Sequence, residues 1–319
     1  MNDFKSSFGS DIESFLSLKE AFGNECATTA SIIKRFDNFC VEYYPTAEVL
    51  TREIVMNWLS AESVTSDTKP KASIMRQFGK YLSAIGKKSY ILLNNFVLSK
   101  SKFTPYILTN SELTTFFAAT DSLKYTKNNP RAYLIAPVLF RLLYTCGLRP
   151  NEGRELKTND INLQNGEIII HHNKQHKERI VVMSNDMLNL CIEYNKKRKA
   201  FKTDNIFFFP ADGNKPYNTV RLENLCKACW RKANSDVAKE NLSALRPYDF
   251  RHCFASSVIY RWLDQGRNIE AMLPYLRAYM GHETFNSTIY YVHLIPEKLM
   301  HSTGIDLSFF EKLLPEVNE

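Results

Sequence analysis

Apolar residues recur at helical spacing through most of the first hundred positions. Within them, Pro45 stops one such pattern, Thr51 is placed to cap the next, and Gly86 is placed to end the last. No long alternating pattern accompanies these repeats, so the pattern predicts a compact helical bundle. The predicted helices lie near residues 11–22, 32–43, 54–59 and 71–85.

A stretch of low periodicity, residues 88–108, follows the bundle and is interpreted as a linker between two domains. Beyond it, Thr109 and Glu112 supply the N-cap chemistry of a new helix. A long apolar helix is expected over residues 133–144, and helical spacing dominates again after Ser184.

The spacing changes to that of strands in the middle of the second half. Apolar residues 168–170 and 180–182 flank the polar stretch 171–179, which predicts a β-hairpin with a basic tip. The fold class is therefore mostly α with a small antiparallel β-sheet. We expect a helical domain over residues 1–87, the linker over 88–108, and a second domain over 109–319.

Composition and charge narrow the picture only slightly. No apolar run approaches the length of a membrane span, and the first residues lack the pattern of a secretory signal. Seven scattered cysteines favour a reducing interior with buried thiols over a disulfide framework. The net charge of +7 permits a polyanionic partner. Most of that charge, a net +6, belongs to residues 101–319.

Five short segments concentrate residues with chemistry beyond packing. Arg149 follows a buried helix, where a guanidinium needs an anionic partner and Glu152 can orient it; a purely structural ion pair is the alternative. Lys174 lies in the basic hairpin tip, which could also be a solvated turn. Arg251 lies near the start of a helix, and a helix N-terminus with an added arginine suits phosphate. The last two segments are Gly281-His282 and Tyr290-Tyr291, which singly fit ordinary packing.

In their order and spacing, the five segments resemble the tyrosine recombinase (phage integrase) family over nearly the whole chain. Residues 147–152 are similar to the family's first arginine box, and the hairpin to its lysine turn. Residues 249–255 are similar to the second arginine box. Gly281-His282, nine residues before Tyr291, is similar to the histidine and nucleophile boxes. The sequences around these last boxes look most like integrases carried by transposons.

The resemblance implies a metal- and ATP-independent enzyme that cleaves and rejoins DNA through a 3′-phosphotyrosine, with Tyr291 as nucleophile. Arg149 and Arg251 would hold the non-bridging oxygens, and Lys174 would protonate the 5′ leaving oxygen. The implied catalytic residues are Arg149, Lys174, Tyr248, Arg251, His282 and Tyr291, supported by Glu152. Tyr248 departs from the family, which usually has histidine or lysine there; a phenol donates a hydrogen bond but carries no positive charge at neutral pH.

The same resemblance implies a SAM-like core-binding domain and a catalytic domain that close on double-stranded DNA at specific recombination sites. It implies a homotetramer on DNA, a monomer off DNA, room for accessory recombination proteins, and a cytoplasmic, nucleoid-associated location. No metal or cofactor is expected. Cys226 and Cys229 have the spacing of half a zinc site, but no second ligand pair completes it, and no glycine-rich phosphate loop is found.

Two other functions remain open at this point. One is a type IB topoisomerase, which shares the chemistry but works alone on supercoiled DNA. The other is a DNA-binding accessory factor that has lost catalysis. For the C-terminus, Asp306 is a candidate cap for a short helix to Leu314 with one apolar side. The resemblance implies that this side docks on a neighbouring protomer, and folding back on its own catalytic domain is the alternative.

Overall fold

The structure is a computed structural model of the 319-residue chain. It describes residues 4–23, 26–61, 68–94, 96, 105–171, 178–199, 206–211 and 213–292. The chain divides into two compact units, residues 1–103 and 104–319, which are described separately. The division falls inside the stretch that the sequence predicts as a linker.

Among its described residues, the first unit contains four helices: α1 Gly9–Ala21, α2 Ala27–Tyr43, α3 Arg52–Ser60 and α4 Thr68–Ala84. Thr51 caps α3 as predicted, since its side chain accepts from the Ile54 N–H at 3.3 Å. The core is aromatic: the ring of Phe36 lies 5.8 Å from Trp58 and 6.3 Å from Phe78, edge to face in both cases. The predicted helical bundle is therefore present.

Residues 88–108 do not form a free connector throughout. Leu92 is buried in the core of the first unit, and Arg76 donates to the carbonyls of Leu92 and Leu93 at 2.9 and 2.8 Å. Leu108 is buried in the core of the second unit. Apolar side chains near both ends of the stretch thus belong to the domains, which low helical periodicity alone does not reveal.

The second unit contains eight helices and a two-stranded sheet within the described ranges. Its elements are α5 Asn110–Asp121, α6 Ala132–Thr145, α7 Pro150–Arg154, β1 Glu167–Ile170, β2 Arg179–Val182, α8 Asn185–Lys199, α9 Thr219–Ala233, α10 Asp249–Asp264, α11 Ile269–Met280 and α12 Asn286–Val292.

Helix α6 runs through the centre of this unit. Its Phe140 is fully buried between Phe116 of α5 and Phe250 of α10, with ring centroids 5.2 and 5.5 Å away. Thr109 and Glu112 form the expected capping box of α5. The three packed helices hold the two loops that end α6 and begin α10 next to each other.

The sheet is the predicted hairpin. β1 pairs antiparallel with β2, with Ile168 opposite Val181 and Ile169 opposite Ile180. Ile168 and Val181 are fully buried while Ile169 and Ile180 are exposed, which is the two-residue alternation of a sheet with one face on the core. The tip, with Lys174, lies outside the described residues, as does the predicted helix after Asp306.

Candidate active site

The loop between α6 and α7 positions Arg149. Gly147 has a left-handed φ of 61°, and a Cβ there would lie 2.4 Å from Cδ1 of Phe254, so this turn requires glycine. Arg149 then occupies the N-cap of α7, with Pro150 in the first helical position. The turn thus delivers a guanidinium from the end of a buried helix.

Glu152 receives four hydrogen bonds at this point. Its carboxylate accepts from the Arg149 N–H at 2.8 Å and from Arg149 Nη1 at 2.7 Å. Arg179, the first residue of β2, donates from Nη1 at 3.0 Å and from Nη2 at 2.6 Å. Burial by itself raises the pKa of Glu152. The hydrogen bonds and charge of Arg179, the Arg149 N–H and the charge of Arg251 outweigh that effect and lower the pKa to about 2. Glu152 is therefore an anion across the working pH range.

Arg251 of α10 is completely buried. Its Nη1 donates to the Gly147 carbonyl at 2.6 Å and its Nη2 to the Met280 carbonyl at 2.5 Å. Its Nε is buried without a hydrogen-bond partner among the described residues. Burial and the charge of Arg149 lower its pKa, against the opposing charge of Glu152. A buried cation with an unused donor is suited to an anionic ligand.

The two arginines converge on the end of α11. Arg149 Nη2 donates to the Gly281 carbonyl at 2.7 Å, the residue directly after the Met280 carbonyl that Arg251 uses. Gly281 ends α11 in the left-handed conformation, with φ 63°. The guanidiniums are thus fixed side by side by consecutive carbonyls, immediately before His282.

His282 is held as a neutral imidazole. Its Nδ1 is 2.8 Å from Thr288 Oγ1, and its ring stacks on Tyr291 with centroids 5.7 Å apart and an interplanar angle of 19°. Burial, and then the charges of Arg251 and Arg149, lower the pKa of His282 to about 3. In the tautomer that carries its proton on Nε2, this neutral imidazole can donate a hydrogen bond.

Tyr291 lies on α12 with only 2% of its surface exposed, whereas its neighbour Tyr290 is 38% exposed. The Tyr291 ring lies between two imidazoles, 5.4 Å from His252 and 5.7 Å from His282. Burial raises the pKa of Tyr291, and the charge of Arg251 opposes that rise. Of the two adjacent tyrosines, Tyr291 is the one packed among the buried cations.

Tyr248 begins α10 and is 37% exposed. Burial lowers the pKa of Arg149, but Glu152 and then Tyr248 raise it above its usual value, which places the phenol beside that guanidinium. The Tyr248 ring is also 5.1 Å from His252, one helical turn along α10. Burial lowers the pKa of His252 to about 4, and its buried Nδ1 has no partner within the described ranges.

The fold thus brings six residues singled out from the sequence into one region: Arg149, Glu152, Tyr248, Arg251, His282 and Tyr291. Lys174 lies outside the described residues. Two residues of the region, Arg179 and His252, were not identified from the sequence. Arg179 is the last residue of the polar hairpin stretch, and Val181 and Val182 follow shortly after it. That spacing indicates the start of a strand and nothing about a role in the site. His252 directly follows Arg251, and nothing in its spacing distinguishes it from a packing residue.

No group of three or more potential metal ligands occurs among the described residues. Cys226 and Cys229 are fully buried in α9, and burial raises the pKa of both thiols, whereas zinc binds thiolates. In the described part of the chain, no helix is long and apolar enough to span a membrane. The chemistry of the region is that of three guanidiniums, two neutral imidazoles and a buried phenol, which suits attack on a phosphodiester.

Comparison with known proteins agrees with that chemistry. The family model for the phage integrase family matches residues 107–298. The integrase/recombinase y4rE of Sinorhizobium fredii is 26% identical over 298 residues, covering 92% of this chain and 93% of the relative. The tyrosine recombinase XerD of Rhizobium meliloti is 26% identical over 231 residues, 72% of this chain and 70% of XerD.

Solved structures show the same fold. The XerH site-specific recombinase, bound to its palindromic difH substrate, superposes with a TM-score of 0.63 at 19% identity, covering 86% of this chain and 78% of XerH. The Tn1549 transposon integrase, bound to transposon right end DNA, gives a TM-score of 0.62 at 15% identity, covering 91% and 99% of the two chains. At these identities the likeness supports the architecture.

Proposed function

The chain belongs to the phage integrase family, and from that premise we propose that it is a site-specific DNA recombinase acting through a 3′-phosphotyrosine at Tyr291. The observation that carries the proposal is the convergence of Arg149 and Arg251 on the consecutive carbonyls before His282, next to the buried ring of Tyr291. Both arginines stay protonated at any working pH and can bind the non-bridging oxygens of a phosphate.

In the proposed reaction, the Tyr291 oxygen attacks the scissile phosphorus. A Tyr–O–P bond forms while the bond to the 5′ oxygen breaks, and the guanidiniums stabilise the negative charge that grows on the other oxygens. The phenol proton leaves to solvent as this bond forms, and the positive charges of Arg251 and Arg149, which oppose the rise in the pKa of Tyr291, favour its loss. Lys174 delivers a proton to the 5′ oxygen. The phosphotyrosine conserves the bond energy, so rejoining to another strand needs no nucleotide or metal.

The proposed substrate is double-stranded DNA carrying specific sites. The solved structures of XerH and the Tn1549 integrase both contain their DNA substrates. Exchange between two sites requires four cleavages, so we propose a homotetramer on DNA that forms from monomers, with accessory recombination proteins as further partners. A mobile element of the transposon type is the proposed source of the sites, and the proposed place of action is cytoplasmic, in association with the nucleoid.

Two rival functions share parts of this site. A type IB topoisomerase would use the same residues without pairing two sites. A DNA-binding factor without catalysis would need no assembled nucleophile, yet Tyr291 is packed between two neutral imidazoles and beside a buried arginine. The number of DNA sites needed for strand exchange distinguishes the recombinase from the topoisomerase.

The test is a nicked substrate that traps the covalent protein–DNA adduct, identified by sequencing the attached DNA. Tyr291→Phe should form no adduct and bind DNA as before, because only the nucleophilic oxygen is lost. Tyr290→Phe is the matched control and should form the adduct, since adjacent residues of a helix point about 100° apart.

Adduct formation should persist in EDTA, and strand exchange should require two matched sites. An adduct with Tyr291→Phe but not with Tyr290→Phe would contradict the assignment of the nucleophile. A strict metal requirement would contradict the reaction as a whole.

A further inference from the structure

Arg179 makes directional contacts within the proposed active site, but it has no role in the reaction proposed above. Its side chain is 9% exposed and donates to both carboxylate oxygens of Glu152, at 3.0 and 2.6 Å. This two-pronged arginine–carboxylate pairing is the strongest and most directional form of ion pair. Its guanidinium also packs on Gly281, where a Cβ would lie 3.1 Å from Nη1 and 3.2 Å from Cδ.

Glu152 is shared between Arg179 and Arg149. The same carboxylate accepts from the backbone and from Nη1 of Arg149, at 2.8 and 2.7 Å. The bonds to Arg149 join residues three positions apart in one short segment, so by themselves they cannot fix that segment within the unit. The bonds to Arg179 cross from α7 to the sheet and connect the Arg149 segment to a second element.

Arg179 also contacts both groups that hold the Arg149 guanidinium, namely the Glu152 carboxylate and Gly281. Arg149 Nη2 donates to the carbonyl of Gly281, the glycine against which Arg179 packs. Loss of the Arg179 fork would release Glu152 on one side of Arg149 and open space beside Gly281 on the other. The guanidinium of Arg149 would keep its own bonds to Glu152 and the Gly281 carbonyl, but the carboxylate that helps to set its direction would no longer be anchored to the sheet.

We propose that Arg179 is a positioning residue for the cleavage reaction, acting through Glu152 to direct the Arg149 guanidinium at a non-bridging oxygen of the scissile phosphate. The inference rests on the proposed function and deepens it. Because the constraint depends on a planar fork that meets both carboxylate oxygens, a lysine at this position keeps the charge but loses the constraint.

The test uses a substrate in which a methyl group replaces one non-bridging oxygen of the scissile phosphate. Such a methylphosphonate is neutral, so it makes a guanidinium at that oxygen dispensable. Arg149→Ala should cleave the normal phosphodiester about 100-fold more slowly and cleave the methylphosphonate nearly as fast as the unaltered protein. This variant shows how cleavage of the two substrates changes when a phosphate-binding side chain is removed.

Arg179→Met should reproduce this behaviour. We expect a loss on the order of 10- to 100-fold with the phosphodiester, the scale of misplacing a reacting group by about 1 Å, and a near-normal rate with the methylphosphonate. Arg179→Lys should show the same loss and the same rescue. In a Glu152→Gln background, Arg179→Met should change the rate by less than about 2-fold, because both substitutions break one linkage.

Arg141→Met is the matched control. Arg141 of α6 makes the same two-pronged pair with Asp121, at 2.7 Å for both bonds, away from the phosphate-binding arginines. It should cleave both substrates at normal rates. If Arg179→Met does not fold, as judged by circular dichroism and DNA binding, Arg179→Lys decides the question alone.

Losses in the Arg179 variants that the methylphosphonate does not rescue would show a merely structural ion pair and overturn the inference. Rescue combined with additive effects of Glu152→Gln and Arg179→Met would show that Arg179 binds the phosphate itself, which also overturns it. Normal cleavage by Arg149→Ala would instead contradict the proposed function, so the two failures are distinguishable.

Discussion

At the scale of single residues, Tyr248 tests how much the site depends on a donor rather than on a charge. Its phenol lies beside Arg149 and 37% of its surface is exposed, so it can face a bound phosphate. Tyr248→His should cleave at a rate similar to the unaltered protein, since an imidazole also donates. Tyr248→Phe should be slower by up to about 100-fold, the scale of one lost donor in the transition state. Single-turnover cleavage measures both.

Tyr275→Phe is the control for that comparison, because Tyr275 is a highly exposed tyrosine of α11. It should cleave normally. Full activity of Tyr248→Phe would show that the hydroxyl contributes nothing, and a severe loss in Tyr248→His would show that the tyrosine has a role that an imidazole cannot fill.

The half-buried His252 and His282 determine a pH dependence of folding stability. Burial lowers the pKa of His252 to about 4 and of His282 to about 3, while an unfolded histidine titrates near about 6.5. Above that pH both states are neutral, and stability does not depend on these groups. As the pH falls from about 6.5 towards 4, the unfolded chain gains protons that the folded chain does not bind, so folding stability falls.

Ring proton shifts followed by NMR should therefore show His252 and His282 neutral at pH 5, and denaturant midpoints should decline between about pH 6.5 and 4. His252→Gln and His282→Gln should each flatten that decline. If the denaturant midpoint declines with falling pH as steeply in both variants as in the unaltered protein, other groups cause the decline. Glu152, with a pKa of about 2, stays ionised over the whole range.

The sequence identifies residues of this site where reactive side chains occur together in one short segment. Arg149, Arg251, His282 and Tyr291 occur in short segments with fixed spacing, and the structure brings them together. Arg179 and His252 could not be found in this way. Their importance depends on a partner far along the chain or on burial, namely Glu152 for Arg179 and the Tyr291 ring for His252. Spacing within one segment contains no information about either.

Among the helices, the left-handed glycines explain why the two arginines lie side by side. Gly147 and Gly281 follow α6 and α11, and their own carbonyls accept hydrogen bonds from Arg251 and Arg149. Gly281→Ala should destabilise the protein by about 1–2 kcal/mol for the left-handed backbone. It should also slow cleavage, because the new methyl group would lie 3.1 Å from Arg179 Nη1.

Gly266→Ala separates these two effects. Gly266 has the same φ of 63° but no atom within 4 Å of an added Cβ. Denaturant unfolding should show a similar loss of stability in both variants, and only Gly281→Ala should lose cleavage. Equal cleavage by both would mean that the Arg179 contact at Gly281 does not matter for the reaction.

Helices and strands, like the site residues, can be predicted from the sequence where the signal is local and not where it depends on distant contacts. The capped helices α3 and α5 and the hairpin were predicted, because caps and two-residue alternation are local properties of the chain. The linker was less well defined, because Leu92 and Leu108 lie in a stretch of low periodicity and are buried by contacts with distant residues. Five-residue helix α7 has too few residues for any periodicity, and only Pro150 marks its start.

At the scale of the whole molecule, the charge and the site belong to the same unit. Residues 104–319 carry a net +5 of the total +7, and all described residues of the proposed site lie between 149 and 291. Binding of DNA by this unit should release counterions from the phosphates. The first unit is nearly neutral, with a net +2 over residues 1–103, so its contribution to DNA binding depends on where its basic residues lie rather than on their number.

The segment after Tyr291 gives the prediction that concerns assembly. Residues 293–319 lie outside the described part of the chain, and their sequence places Phe309, Phe310, Leu313 and Leu314 at the spacing of one helix side after Asp306. We expect this strip to dock on a neighbouring protomer. Deleting residues 305–319 should therefore leave binding to a single DNA site and formation of the Tyr291 adduct intact, while pairing of two sites and strand exchange are lost.

Gel-shift titration with one-site and two-site DNA measures the two steps separately. Replacing the four apolar residues with serine, with the chain length kept, is the matched variant and should give the same result as the deletion. If both variants pair sites and recombine normally, the strip has no part in assembly. If both lose thermal stability as free monomers, it folds back on its own catalytic unit instead, because a surface used only between protomers contributes nothing to the stability of one protomer alone.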